Sequence, residues 1–434
     1  MGPAETSLII LAAVMILYIT EIIPLAVTAV GSCAALVVFK VVDAKTAWSG
    51  LSADTNLLVA GMIVVGLALF ETGLAEEIGK KIVGLAKGST FGVILAMLLV
   101  TMGLSAFLNN SSTTAMMVPV LAGIIAGSGG KINAKFTIMP LALAAVTGGM
   151  LTLVGSTPTV IVQGVQTAAG YRPFGFFEFA LIGGPICLAF LIYNFTIGRW
   201  LAVKMYGENP PPSPFMQEML EKVAAQKSES KTKDPKKMWI SGLILLGCVL
   251  GFIFTNTKVL PLGTIAMIGA LACVVTGCIS EKTTYRQMDW TTVLVLGGSI
   301  GFAAGLDKSG GGKLLANYIL GLFGDKVTPY TILVVIAFLG MFLTQCMSNT
   351  AATAMLAPIG LAMAKAIGAN PLPIMMALCT ATASSFSTPV ATPPMTIVLG
   401  PGGYKFFDYI KWGGLFNIIC FIIVIVLVPL IWPF

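Results

Sequence analysis

Runs of apolar residues long enough to cross a bilayer make up most of this chain. They lie at 7–23, 25–41, 56–73, 138–170 and 178–202, and again at 239–255, 259–279, 291–307, 372–399 and 409–432. A hydrocarbon core about 30 Å thick is crossed by roughly 20 residues of helix. Inside it every backbone N–H and C=O must find an internal partner, which a helix provides within each segment. Only 10% of the 434 residues are charged and 57% are hydrophobic, where soluble domains carry about 25% charged residues. The expected fold class is an all-α polytopic membrane protein. The opening residues lack a basic stretch and a small-residue cleavage site, so they read as the first span and not as a cleaved leader.

Composition also excludes chemistry. There is no histidine, which removes the usual general base, proton relay and metal ligand. The eight cysteines (Cys33, Cys187, Cys248, Cys273, Cys278, Cys346, Cys379, Cys420) form no CxxC pair and lie almost wholly in apolar runs, as small buried hydrophobes do. No phosphate-binding loop appears. An enzyme is not expected, and neither is nucleic-acid binding. The net charge of +7 reads as an orientation signal, because cytoplasmic loops collect Lys and Arg. The hydrophilic stretch 204–238, with Lys222, Lys227, Lys231, Lys233, Lys236 and Lys237, is expected on the cytoplasmic side, with both termini outside.

Two regions, 91–127 and 330–367, are apolar on both sides of a polar centre and too long for one helix. Each suits a re-entrant helical hairpin. Their centres align: "NNSSTTAMMVP" (109–119) lies over "SNTAATAMLAP" (348–358), so that Asn110 falls on Asn349, Thr114 on Thr353 and Pro119 on Pro358. Further on, "LVGSTPTVIV" (153–162) matches "PVATPPMTIV" (389–398), and "FFEFALIGG" (176–184) matches "FFDYIKWGG" (406–414). Three blocks in the same order indicate a repeat. The first copy is placed at 1–203 (hairpin 91–127, broken span 138–170), and the second at 239–434 (hairpin 330–367, broken span 372–399). Five spans plus one hairpin per copy make the copies inverted in the membrane. Inverted repeats with interrupted helices point to a secondary transporter whose site lies at the repeat interface.

Four polar interruptions then converge: Asn109-Asn110-Ser111, Gly155-Ser156-Thr157-Pro158, Ser348-Asn349-Thr350 and Ala391-Thr392-Pro393-Pro394. Proline within an apolar span breaks the helix, which exposes carbonyls at one half-helix end and N–H donors at the other. Carbonyls, hydroxyls and amide oxygens are hard neutral ligands for a sodium ion, and the N–H ends suit an anion. None of the four carries an acid, whereas proton carriers use intramembrane carboxylates or histidine. Sodium coupling and an anionic substrate follow. Packing is a common role for Ser, Thr and Gly in membrane helices, but two Asn-centred clusters at equivalent repeat positions outweigh it. Glu21, Glu71, Glu178, Asp289, Asp307 and Asp408 lie near span ends and read as interfacial or capping residues.

The motifs "MSNTAATAML" (347–356), "TEIIPLAVTA" (20–29), "VATPPMTIV" (390–398) and "GYKFFDYIKWG" (403–413) resemble the divalent anion/sodium symporter family, the carriers of citrate, dicarboxylates and sulfate, across essentially the whole chain. The resemblance implies a homodimer that works as an elevator, with a scaffold and a moving transport part. It implies one sodium near Ser105, Asn110 and Gly155, and another near Thr344, Met347 (backbone), Asn349 and Ala391. It puts substrate against Asn110, Ser111, Ser156, Ser348, Asn349, Thr350 and Thr392. The family's Ser-Asn-Thr triplet is replaced at the first tip by Asn109-Asn110-Ser111, which assigns Asn109 and Ser111 to tuning the anion pocket. The family's additional first helix ahead of the repeat is expected to be absent. The resulting expectation is a cell-membrane symporter coupling Na⁺ to small divalent anions, dicarboxylate first and a sulfate-like oxyanion second. The alternative is an anion exchanger of the same fold without sodium coupling.

Overall fold

The computed structural model describes residues 2–85, 89–225, 234–254, 259–323 and 327–434. Among these, all regular structure is helical. Six helices are long and apolar enough to cross a membrane: Pro3–Thr20, Asp54–Thr72, Ala180–Tyr206, Pro235–Phe254, Trp290–Lys308 and Phe406–Ile431. Shorter apolar helices lie between them. Residues 226–233 of the 204–238 stretch fall outside the described residues, and the preceding part forms the helix Pro214–Ala225.

One order of elements runs through the chain twice. The first half reads Pro3–Thr20, Leu25–Val38, Ala44–Ala47, Asp54–Thr72, Leu74–Leu85, Thr90–Ser105, Asn110–Gly127, Ile138–Gly148, Thr157–Ala168 and Ala180–Tyr206. The second reads Pro235–Phe254, Leu262–Val275, Glu281–Gln287, Trp290–Lys308, Gly311–Phe323, Pro329–Leu343, Asn349–Ala366, Pro371–Ala383, Pro393–Gly402 and Phe406–Ile431. Leu74–Leu85 and Gly311–Phe323 are additional to the hydropathic reading. The first carries Glu76, Glu77, Lys80 and Lys81, too much charge for a span. The runs 25–41 and 259–279 fold as helices of only 14 residues each, about 21 Å long. Leu25–Val38 starts after Pro24 and stops at Phe39 and the left-handed Lys40 (φ 53°).

The helices form two groups. In the outer group Leu25–Val38 packs on Trp290–Lys308, and Leu262–Val275 on Asp54–Thr72, so the halves interlock. A Cβ at Gly61 would lie 2.6 Å from the Ala266 carbonyl oxygen, and one at Gly298 2.7 Å from the Ala29 carbonyl carbon. Small residues allow this approach where no hydrophobic effect drives association. Trp239, Leu243, Leu246 and Leu250 stay exposed at helical spacing along Pro235–Phe254, an apolar stripe suited to lipid. In the inner group Asn349–Ala366 packs on Thr157–Ala168, and Asn110–Gly127 on Pro393–Gly402. The second arm of each hairpin therefore lies against the broken span of the other half, while the first arms, Thr90–Ser105 and Pro329–Leu343, pack on the broken span of their own. The last helices of the halves are locked by Tyr193, whose hydroxyl donates to the Trp412 carbonyl (2.5 Å), and by the Trp412 indole, which donates to the Gly198 carbonyl (2.8 Å).

Candidate functional site

Four helix N-termini meet at one cavity of about 490 Å³. Asn110–Gly127 and Asn349–Ala366 begin there from the hairpin turns, and Thr157–Ala168 and Pro393–Gly402 from the breaks. Proline sets the two break helices, with Pro158 and Pro393 in their first turns, where a missing N–H costs nothing. The hairpin arms are capped by their own side chains. Asn109 Oδ1 accepts from Ser111 N (2.8 Å), and Ser348 Oγ from Ala351 N (3.2 Å). Ser156 and Thr392 hold the same N-cap positions in extended conformation, yet neither side chain caps its helix. Ser and Thr at this position normally bond the first-turn N–H groups. At the first break the Thr157 and Thr159 N–H groups and the Ser156 hydroxyl are left to whatever enters the cavity; at the second, Pro393 and Pro394 have no N–H and Met395 N donates to the Thr392 carbonyl (3.0 Å), which leaves the Thr392 hydroxyl.

Beside the cavity lie two clusters of oxygens. One terminal atom of the Asn110 amide is 3.0 Å from the Gly155 carbonyl oxygen, 3.2 Å from that of Ala145 and 2.6 Å from Ser105 Oγ. With its nitrogen there, the amide donates to these groups. With its oxygen there, four oxygens converge without an acid, a donor set for a small hard cation. A Cβ on Gly149 would lie 2.3 Å from this amide and 2.6 Å from the Gly155 carbonyl oxygen, so the cluster exists because position 149 has no side chain. In the other half Thr344 Oγ1 lies 2.7 Å from Asn349 Oδ1 and 2.8 Å from the Thr382 carbonyl oxygen. A hydroxyl has one proton, so it satisfies only one of these acceptors. Each hairpin turn is tied to the break of its own half. Thr152 donates to the Ala106 carbonyl; Gln345 Nε2 donates to the Ser384 carbonyl (3.0 Å), and Gln345 Oε1 accepts from Ser387 N (3.0 Å).

The cavity wall contains Asn109, Asn110, Ser111, Ser156, Ser348, Asn349, Thr350 and Thr392, together with Gly155 and Ala391. Ser105 and Thr344 are buried behind it in the oxygen clusters, and Met347 is buried in the second hairpin turn. Sequence reasoning missed the Ala145 and Thr382 carbonyls. A backbone ligand leaves no side-chain signature, and the only hint was their nearness to Gly148-Gly149 and Ser384-Ser385. It also missed a wall from the outer group: Gln287, Asp289, Thr291 and Thr292, with Met62, Phe70 and other apolar residues. Asp289 caps Trp290–Lys308, accepting from Thr292 N (3.0 Å) and Thr292 Oγ1 (2.6 Å). Among the described residues it is the only charged side chain lining the cavity. Of the other acids near span ends, Glu71 accepts from Gln287 Nε2 (3.1 Å), and three more are partnered too. Glu178 pairs with Arg172 (2.8 Å), Asp307 with Lys365 (2.7 Å), and Asp408 accepts from Lys405 N (2.8 Å).

The sequence profile of the citrate transporter family matches residues 15–381. An uncharacterized transporter of Haemophilus influenzae is 28% identical over 99% of this chain and 92% of its own length. The sodium-dependent dicarboxylate transporter SdcS of Staphylococcus saprophyticus is 25% identical over 96% of this chain and 84% of its own. The sodium-dependent high-affinity dicarboxylate transporter 3 of Caenorhabditis elegans is 26% identical over 93% and 79%. These relatives agree with the resemblance to divalent anion/sodium symporters carried by the motifs. Among solved structures, the YdaH transporter of Alcanivorax borkumensis superposes with a TM-score of 0.56 at 15% identity, covering 89% of this chain and 87% of that one, a likeness of fold.

Proposed function

We propose, from the premise that this chain belongs to the citrate transporter family and is a multi-pass membrane transporter, that it carries small divalent anions by symport with sodium. The observation that carries the proposal is one cavity receiving four helix N-termini, flanked by two acid-free oxygen clusters. Helix N-termini carry about half a positive charge each, so four supply roughly +2. With Asp289 in the wall and, among the described residues, no lysine or arginine there, a dianion is not fully compensated. Sodium completes the balance. A full charge about 5 Å from a carboxylate, at an effective dielectric of about 20, contributes about 3 kcal/mol, roughly 200-fold in affinity. Coupling therefore follows from charge: anion binds well only when the ions are in place.

In this reading the first ion takes Ser105, Asn110 and Gly155, with the Ala145 carbonyl added. The second takes Thr344 and Asn349 with the Thr382 carbonyl, and with Met347 and Ala391 from the adjoining turn and break. Substrate lies between the tips against Asn110, Ser111, Ser156, Ser348, Asn349, Thr350 and Thr392, with Asn109 and Ser111 setting pocket shape. The relatives' names support a dicarboxylate as first candidate. The halves 1–203 and 239–434 are proposed to be inverted in the cell membrane, joined by a cytoplasmic linker at 204–238. The inner helix group is proposed to move as an elevator against the outer one, within a homodimer.

Removing both free hydroxyls, Ser156→Ala with Thr392→Val, is expected to weaken anion binding about tenfold or more, since a hydrogen bond to a charged group is worth about 1.5–3 kcal/mol. Sodium-dependent shifts in unfolding temperature on adding succinate, citrate, tartrate or sulfate measure this. Wild-type affinities in the variant would remove these residues from the substrate site. Orientation has its own test. A cysteine at position 228 should react only with reagent added from the cytoplasmic side, and one at position 4 only from outside. Reaction of both from one face would contradict the inverted arrangement.

A further inference from the structure

A second cavity, of about 270 Å³ and sharing no residue with the first, lies where the base of the first hairpin meets the last helix of each half. Its size is near the lower end of pockets that hold small ligands. Lys131, Lys135 and Arg199 line it, against one acid, Glu208. Among the described residues Lys131 and Arg199 have no ion-pair partner. The Arg199 guanidinium sits 4.2 Å over the Phe136 ring, and Lys135 Nζ 4.9 Å from the Tyr206 ring while donating to the Gly403 carbonyl (2.7 Å). The Tyr206 hydroxyl is buried in the cavity wall beside the Asp408 carboxylate. A π-helical turn, Asn194–Gly198, opens the wall between these groups, a local deviation often found at functional sites.

We infer that this cavity binds the phosphate headgroup of an anionic phospholipid. Phosphate-type anions are what a pair of cations without ion-pair partners, Lys131 and Arg199, recognises. The source is assigned to lipid because the cavity opens beside membrane-facing residues. Phe91, Ile197 and Trp200 are exposed on its flank, and Lys204 lies 5.0 Å over the Trp200 ring. Aromatic and basic side chains of this kind mark the headgroup level, and basic pockets between helices at that level take anionic headgroups. Residues between 90 and 209 form most of the wall and Tyr404 and Trp412 complete it, so a bound headgroup staples the two halves together.

The test is titration of purified full-length protein in detergent with phosphatidylglycerol or phosphatidylcholine, read as unfolding temperature and as lipid retained in native mass spectrometry. Phosphatidylglycerol is expected to raise the midpoint and be retained, and phosphatidylcholine is not. Each cation near an anionic lipid contributes about fivefold in affinity. Lys131→Gln with Arg199→Gln should thus weaken binding roughly 25-fold, while Lys236→Gln with Lys237→Gln, basic residues elsewhere, leaves it unchanged. If the double variant is not monodisperse, Lys131→Gln alone, in an exposed loop, should show about the single fivefold loss. Three results overturn the assignment: equal effects of the two lipids, equal loss in the Lys236/Lys237 control, or the same stabilisation by inorganic phosphate, which would place the ligand in solution.

Discussion

Asn110→Ala and Asn349→Ala should each abolish sodium-dependent uptake while leaving folded, membrane-inserted protein. Each asparagine ties the second arm of its hairpin to an oxygen cluster: Asn110 to Ser105 and the Gly155 and Ala145 carbonyls, Asn349 to Thr344. Alanine deletes an oxygen ligand without adding bulk. Loss of one ion removes about 3 kcal/mol of attraction from a bound carboxylate, so anion affinity should fall on the order of 100-fold. Labelled succinate uptake, with the sodium dependence of the unfolding temperature, reads both halves of the claim. Wild-type sodium dependence in either purified variant would remove that cluster from the mechanism.

Gly149→Ala should be nearly as damaging, through volume. Residue 149 has ordinary right-handed helical angles (φ −62°, ψ −15°), so alanine costs nothing in backbone conformation. Its Cβ, however, would sit 2.3 Å from the Asn110 amide and 2.6 Å from the Gly155 carbonyl oxygen. The methyl would occupy the space where four oxygens meet. Sodium affinity is expected to drop at least tenfold. Gly123→Ala serves as the control, because its Cβ meets nothing within 4 Å. Equal sodium response in the two variants would mean that the first cluster is a packing feature of the break.

Much of this was legible in the sequence, for reasons that can be named. Asn110 and Asn349 stand at the same place in two copies of one motif, and Pro158 and Pro393 interrupt apolar runs, so the tips and breaks announced themselves through side chains. Ala145 and Thr382 contribute carbonyls, which any residue has, and no pattern marks them. The Gln287–Thr292 wall escaped because its residues lie far from the hairpins along the chain and reach the cavity only through packing of the outer group. Leu74–Leu85 and Gly311–Phe323 do not stand out as apolar runs because their patterning is amphipathic. Asn109 differs from the family's serine, yet both it and its counterpart Ser348 cap their helices. Asn109→Ser should therefore preserve the hairpin and alter only the cavity wall.

Uptake of labelled succinate into proteoliposomes holding this protein alone, with an inward sodium gradient or with potassium in its place, bears most directly on the proposed coupling. Concentrative uptake with sodium, absent with potassium, is the predicted result. Equal uptake under both conditions, or uptake that requires preloaded anion and ignores sodium, would contradict it.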